Sequence, residues 1–394
     1  MRSLLLAALL ALSACVNNAP ARPAEPPPAA APAAPAAIEI TEFDFPDPAE
    51  IEAPPEMEMP TNPVEGNIRI KAVGDIMLGT DYPEDRLPPD AGQAQLAAVK
   101  ALLSDADLTI GNLEGALADG LPPTKVCNDP KACYLFRTPT RFAETLKDAG
   151  FDIMSLANNH SRDFGEDGRD SSKKALREAW IGQSGRDTSE ARPEGDILKF
   201  GKAGRSIAFI AFAPNPGNHS LLDIPGAVAK VRTLAESQDL VIVSFHGGGE
   251  GADRTHVVKG MEEFRGEQRG DLVAFSHAVI EAGADLVIGH GPHVPRALEL
   301  YKGRLIAYSL GNFATWYGIS INGSAGLAPV LAVTLDEDGK LVEGHIHSNI
   351  QDRQNGVQPD PERRAYKLMR KLSAQDFPAN GLAFEADGDF RPKR

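Results

Sequence analysis

Apolar positions in this chain gather in short, β-branched runs, and one run after another ends in Asp, Asn, Glu or His. Ile68 to Val73 leads into Gly74-Asp75, Asp107 to Ile110 into Gly111-Asn112-Leu113-Glu114, and Phe151 to Ala157 into Asn158-Asn159-His160. Leu240 to Phe245 leads into His246, and Leu286-Val287-Ile288, bounded by Gly283 and Gly289, into His290. Runs this short and this rich in Val and Ile predict buried strands and not helices. Between them a 3.6-residue period predicts helices over Gln93–Leu103, Thr140–Lys147, Asp167–Trp180, Ala227–Ala235 and Gln268–Glu281. Alternating apolar residues predict hairpins over 198–213, 297–310 and 331–347, which turn at Gly201–Gly204, Lys302-Gly303 and Asp336–Gly339. Asp360 as N-cap with Pro361 in the first turn predicts a last helix, whose many Lys and Arg residues read as a solvated surface. Together these elements predict a layered α/β fold with mixed sheets.

In an open α/β sheet, ligands bind beyond the carboxyl ends of the strands, so runs that all finish in ligand-type residues point to one shared site. The stretch Ala284 to Val294 is the densest case. Gly291 and Pro292 turn the chain between His290 and His293 so that both rings can face one point, a chelating geometry. A solvated polar loop is the alternative for that pair taken alone. The recurrence of the pattern at the ends of the other strands favours the site.

The ends of the chain read differently. Arg2 and the apolar run Leu4 to Leu12 form an export signal too short to span a bilayer. The tetrapeptide Leu12-Ser13-Ala14-Cys15 resembles a bacterial lipoprotein cleavage box, which implies loss of residues 1–14 and lipid on Cys15; an ordinary cleaved signal is the plainer reading. Residues 15–63, rich in Pro and Ala, cannot bury a core and read as an extended tether. That leaves a folded domain over 64–376 and a C-terminal tail over 377–394. The expected location is the cell envelope, anchored by lipid at the periplasmic face of a membrane, the outer membrane included. A formal net charge of -15 argues against nucleic acid as partner, and against a polyanionic substrate unless metal ions supply positive charge. Cys127 and Cys133 flank a short loop, and in an oxidising compartment a local disulfide is the natural reading.

The ordered series Gly74-Asp75-Ile76-Met77-Leu78, Asn112-Leu113-Glu114, Ala157-Asn158-Asn159-His160, His246 with Glu250, Gly289-His290-Gly291-Pro292-His293-Val294 and Tyr308-Ser309-Leu310-Gly311-Asn312-Phe313 resembles the CapA family of capsule-synthesis proteins. That family is related to the calcineurin-like metallophosphoesterases. The resemblance implies a four-layer αββα sandwich, two divalent metal ions and association with poly-γ-glutamate or another capsule polymer. It further implies that Asp75, Glu114, Asn159, His246, His290 and His293 hold the metals, while His160 protonates the leaving group. A donor set of oxygen and imidazole without sulfur suits Mn, Fe or Zn.

Asn112, Asn158, Glu250, Arg296 and Asn312 are expected around the ligands or against substrate. Glu250 keeps three readings: it orients His246, reaches the metal, or is a plain loop carboxylate. Relative to the usual family pattern, Gly247-Gly248-Gly249 replaces aromatic surface with a flexible wall, and Arg296 adds a cation to it. His246-Gly247-Gly248-Gly249 also looks like a lipase oxyanion loop, but no Gly-x-Ser-x-Gly elbow accompanies it. His345 and His347 alternate along a strand and read as solvated or packed residues, and His219 as a surface residue. Two function classes follow. One is a metal-dependent hydrolase acting on a phosphoester or on an envelope polymer. The other is a non-catalytic accessory protein that binds an anionic capsule polymer within a membrane assembly complex.

Overall fold

The computed structural model describes residues 66–126, 134–188 and 196–393. The stretches read as an export signal and a tether, together with Cys15, Cys127 and Cys133, lie outside the described residues. The strands of the two large sheets are β1 (Ile68–Met77), β2 (Leu108–Leu113), β3 (Ile153–Ser155), β4 (Gly182–Ser184), β5 (Leu198–Lys202), β6 (Arg205–Ala213), β7 (Leu240–His246), β8 (Leu286–His290), β9 (Leu298–Tyr301), β10 (Arg304–Ala307), β11 (Asn312–Thr315), β12 (Val330–Leu335), β13 (Leu341–His347), β14 (Leu382–Phe384) and β15 (Asp389–Pro392). The longer helices are α1 (Phe142–Asp148), α2 (Gly165–Glu178), α3 (Ile224–Ala235), α4 (Leu272–Glu281) and α5 (Arg364–Asp376).

One nine-stranded sheet runs β14-β15-β13-β12-β1-β2-β3-β4, with β11 paired to β1. A seven-stranded sheet runs β9-β10-β8-β7-β6-β5, with the short strand His219–Ser220 paired to β6. Both are mixed. β1, β2, β3 and β4 are parallel in the first and β6, β7, β8 and β10 in the second, whereas the hairpin partners β5, β9, β12 and β13 run antiparallel.

The central strands carry apolar residues on both faces because both faces are covered. Ile68, Ile70, Ala72 and Ile110 of the first sheet pack against Ile207, Phe209, Ile242 and Ile288 of the second. On the outer face of the first sheet, Val73, Leu113 and Met154 meet Leu96, Leu103, Phe142, Leu146 and Leu176 from helical segments. On the outer face of the second, Ile210, Val243 and Val287 meet Val231, Leu234, Phe275 and Val279 of α3 and α4. The result is the four-layer αββα sandwich, and each buried Ile, Leu or Phe contributes about 2 kcal/mol.

Several elements differ from the sequence reading. The helix read over Gln93–Leu103 is broken into Gln93–Leu96 and Lys100–Ser104 by a 3-10 turn, Ala97–Val99. The helix read from Gln268 begins at Leu272, because Glu267–Gly270 pairs with Glu262–Phe264 in a small hairpin and Asp271 caps the helix through Ala274 N. Helix α5 is not a solvated surface helix. Ala365, Tyr366, Met369, Leu372 and Ser373 recur on one stripe and are buried, while its Lys and Arg residues occupy the opposite side. The segment read as a tail also folds: β14 and β15 extend the first sheet, and Leu382 and Phe390 enter the core between the sheets. His219 is fully buried, between Asp187 and the carbonyl of Asp196.

Candidate metal centre

The carboxyl ends of β1, β2 and β3 from one sheet meet those of β7 and β8 from the other. Register does the local placing. Asp75 is level with Asn112 on one side and Asn312 on the other, and His246 is level with His290. β1 can come this close to the Leu310-Gly311 turn because residue 74 is glycine: a Cβ there would stand 2.0 Å from Gly311 O, while Asp75 N donates to that same oxygen.

Asp75, Glu114 and His246 each present a ligand atom, and these atoms lie within 4.8 Å of one another. His290 Nδ1 is 3.4 Å from Asp75 Oδ1, and His293 Nδ1 is 3.0 Å from Asp75 Oδ2. His293 Nε2 lies 3.6 Å from Glu114 Oε1, and His246 Nδ1 lies 4.0 Å from Glu114 Oε2. Asp75, Glu114, His246 and His290 are all buried, yet Asp75 Oδ2, Glu114 Oε1 and both ring nitrogens of His246 and His290 have no hydrogen-bond partner. Asn159 Oδ1 is buried and unpartnered as well. Native interiors rarely leave so many polar atoms unsatisfied in one place, and a divalent cation bound among them would supply the missing partner. The donors are oxygen and nitrogen, the set that suits Mn, Fe or Zn.

The charges agree with that fit. Burial alone would raise the Asp75 carboxyl, but the adjacent imidazoles of His290 and His293 hold it well below its ordinary range. Burial and the charge of Asp75 push Glu114 well above its own. Burial drives His246 well below the usual histidine value, so it stands neutral, as a ligand must. For His293 burial acts downward, but the carboxylates of Glu114 and Asp75 outweigh it and raise the ring to about 10. A cation between those carboxylates would take the place of that proton.

The surrounding amides orient this set. Asn112 Nδ2 donates to Asp75 Oδ1 at 2.9 Å and to Glu114 Oε2 at 3.4 Å. Asn158 donates to Asn112 Oδ1 and Leu113 O and accepts from His160 N, so it shapes the turn that presents His160. Asn312 Oδ1 lies 3.0 Å from His293 Nδ1, and its amide donates to His293 O. That clamp matters because His293 sits at φ 59, a left-handed conformation that a non-glycine residue keeps only when its surroundings enforce it.

His160 is turned away from the carboxylate cluster at one end and toward it at the other. Nδ1 is 2.7 Å from Asp163 Oδ2 and Nε2 is 4.0 Å from Glu114 Oε1. Asp163 is fully buried, accepts from Phe136 N and pairs with Lys125 Nζ at 2.8 Å; burial would raise it, but His160 and Lys125 hold it below its ordinary value. Buried Arg169 fastens the same turn, donating to Ser161 Oγ and to Asn218 Oδ1. Asp163 and Lys125 carry no mark in the sequence beyond the His-x-x-Asp spacing, which puts the two side chains one turn apart.

A cavity of about 330 Å³ opens beside this cluster, lined by Glu114, His160, Glu250 and His293 together with Tyr134, Phe136, Phe264 and Arg265. Arg296 is not the cation of its wall. It is fully buried and spends its guanidinium on both oxygens of Glu262, at 2.8 and 3.0 Å, and on the carbonyls of Gly249 and Arg254. Nor does the Gly247-Gly248-Gly249 run hang free: Gly247 N donates to His290 O, Gly248 N to Arg269 O and Gly249 N to Glu262 Oε2. The sequence carries no sign of that anchoring, because its partners lie 13, 21 and 43 positions away.

The family model for bacterial capsule synthesis protein PGA_cap matches residues 69–317, the span that supplies every one of these groups. The chain belongs to that family. It is 28% identical over 294 residues to capsule biosynthesis protein CapA of Bacillus anthracis, covering 70% of this chain and 63% of the relative. To PGA biosynthesis protein CapA of Bacillus subtilis it is 27% identical over 291 residues, covering 70% of this chain and 67% of that one. Among solved structures, a 5'-nucleotidase precursor from Thermus thermophilus aligns over 79% of this chain and 59% of its own, with 15% identity and a TM-score of 0.40. The chain thus spans less than two thirds of the Bacillus anthracis relative's length.

Proposed function

We propose that this PGA_cap protein is a metal-dependent hydrolase of the cell envelope that acts on a phosphoester or on a linkage of a poly-γ-glutamate-type capsule polymer, with two divalent ions held by Asp75, Glu114, Asn159, His246, His290 and His293. The observation that carries the reading is the His160–Asp163 pair beside the orphaned donor cluster. Polymer binding needs charge but no proton donor, whereas here an imidazole is fixed at 2.7 Å by a buried carboxylate and points its other nitrogen at the centre. Bound metal would polarise the scissile group and acidify a water. Asp163 accepts a hydrogen bond from Nδ1–H and fixes the ring, so Nε2 is the atom that protonates the leaving group. Tyr134, Phe136 and Phe264 offer apolar walls, and Arg265 offers a cation for an anionic substrate.

The test is to purify the full chain, load it with Mn and assay both a generic phosphodiester and poly-γ-glutamate. His160→Ala is expected to lower turnover about 100-fold or more while metal content stays at the wild-type level. Equal metal loss in His160→Ala and His290→Ala would make His160 a ligand and not the acid. Turnover of neither substrate by a fully metallated protein would leave the accessory, polymer-binding reading. Envelope attachment belongs to the same proposal: Cys15→Ser is expected to shift the protein from the membrane fraction to the soluble one, and unchanged fractionation would overturn it.

A further inference from the structure

Three hairpins of this chain turn on a two-residue pair, Ala203-Gly204, Arg265-Gly266 and Lys302-Gly303, with both residues of each pair at positive φ. That is the type I′ turn, whose first position favours Asn, Asp or Gly and strains most other side chains. Ala203 carries no functional group, and Lys302 keeps its ammonium 2.7 Å from Glu281. Arg265, at φ 50, has no carboxylate partner among the described residues, and its guanidinium lies over the Phe264 ring, 5.4 Å from the centroid. A guanidinium stacked in this way keeps in-plane N–H donors free. The base of the same hairpin is fixed. Glu262 accepts from both terminal nitrogens of buried Arg296, at 2.8 and 3.0 Å, and from Gly249 N at 2.9 Å. Arg269, only 1% exposed, donates from Nε to Gly248 O at 3.1 Å and stands 2.9 Å from Glu250 Oε1. These ties fasten the hairpin to the glycine run that follows His246.

Phe264 and Arg265 line the cavity together with Glu114, His160, Glu250 and His293, and Arg265 is the only Lys or Arg among the described residues that line it. A strained backbone position with no partner inside the protein points to a partner outside it. We propose that Arg265, carried on the hairpin Glu262–Gly270, is a specificity-determining residue that binds a second carboxylate of the substrate, next to the group that reacts at the centre. A small phosphoester brings its charge to the centre and leaves nothing for a guanidinium on the hairpin. A chain of repeated carboxylates brings both. One guanidinium also matches the single charge of a carboxylate, with two in-plane N–H groups for its two oxygens. The inference rests on the hydrolase reading above and chooses within it the polycarboxylate substrate over the simple phosphoester.

The experiment loads the full chain with Mn and measures by calorimetry its affinity for γ-linked pentaglutamate, inorganic phosphate and tripolyphosphate. Arg265→Asn supplies the residue that the turn prefers, so its urea midpoint is expected to equal or exceed that of wild type, with bound Mn unchanged. Its affinity for pentaglutamate should nevertheless fall about 10-fold, the effect of one lost charged hydrogen-bonding group, while its affinity for inorganic phosphate stays the same. Arg265→Lys, which keeps the charge without the planar fork, should fall in between. Equal binding of pentaglutamate by wild type and Arg265→Asn would overturn the proposal, as would a wild type that does not bind it. An equal loss for inorganic phosphate would place Arg265 at the centre itself, and a lowered urea midpoint would make it a structural turn residue; either result overturns the assignment. A larger Arg265-dependent loss for tripolyphosphate than for pentaglutamate would overturn the choice of carboxylate. A protein that takes up no metal yet binds pentaglutamate through Arg265 would overturn the metal-dependent reading and leave this inference standing.

Discussion

At the scale of the residue, the informative feature is the number of polar atoms at one point that the protein itself leaves unpaired. His290 is the sharpest instance, fully buried with both ring nitrogens lacking a hydrogen bond. Its backbone is held by the pairing of β7 with β8 and its strand neighbours Leu286 and Ile288 remain in the core, so truncating the ring removes the proposed ligand without removing the strand. His290→Ala is therefore expected to lose bound metal, by more than 10-fold in affinity, with the far-ultraviolet spectrum and the urea midpoint of the metal-free form near wild type. Retention of wild-type metal content would take His290 out of the ligand set. Residue types at the strand ends pointed to Asp75, Glu114, His246 and the pair His290 and His293 as candidates along the chain, and the family resemblance supplied their proposed role as ligands. Arg269, Asp163 and Lys125 were not legible, because a buried charge draws its meaning from its partner, and the partners of Arg269 and Lys125 lie 19 and 38 positions away.

At the scale of the element, strand ends in this fold are tied by carboxylates at the edge opposite the metal centre. Asp285, just before β8, accepts from Val241 N of β7 at 2.8 Å and faces Arg304 of β10 at 3.1 Å. Burial pushes its carboxyl up to about 6, against the opposing effects of the Val241 hydrogen bond and the Arg304 charge. A carboxyl raised in the folded state binds its proton more tightly there than in the unfolded chain. Its ionisation therefore costs nothing below pH 4 and subtracts from stability as pH climbs to about 6. Asp285→Asn keeps an oxygen for Val241 N and never ionises. The stability of the variant relative to wild type should thus rise by on the order of 2 kcal/mol between pH 4 and pH 7, read from urea denaturation at each pH. A difference that is flat across that window would contradict the assignment. Helix α5 shows the reverse kind of misreading: its composition suggests solvent, but the stripe from Tyr366 to Ser373 decides that it packs.

At the scale of the whole molecule, strand β15 reaches the core through Phe390. Phe390 is 1% exposed and lies between the sheets, and β15 brings it against Gly344 of β13, where a Cβ would stand 2.1 Å from its ring. Phe390→Ala should accordingly cost about 3–5 kcal/mol of unfolding free energy, as a core phenylalanine does, whereas a residue in a solvated tail would cost under about 0.5 kcal/mol. Equilibrium denaturation separates the two outcomes.

What the sequence determined by itself was local: period, turn chemistry and the residue at the end of each strand, all of which depend on neighbours a few positions apart. It therefore carried the hairpins at Gly201–Gly204 and Lys302-Gly303, the buried strands and the ligand types. What the tertiary structure alone decided was which of these meet. Asp75 and Glu114 sit on one sheet and His246 and His290 on the other, so the centre exists only where the two carboxyl edges abut. The hold of Arg269 on Glu250, the burial of Arg296 on Glu262 and the return of β15 to the core likewise come from packing at long sequence separation, which no local pattern encodes.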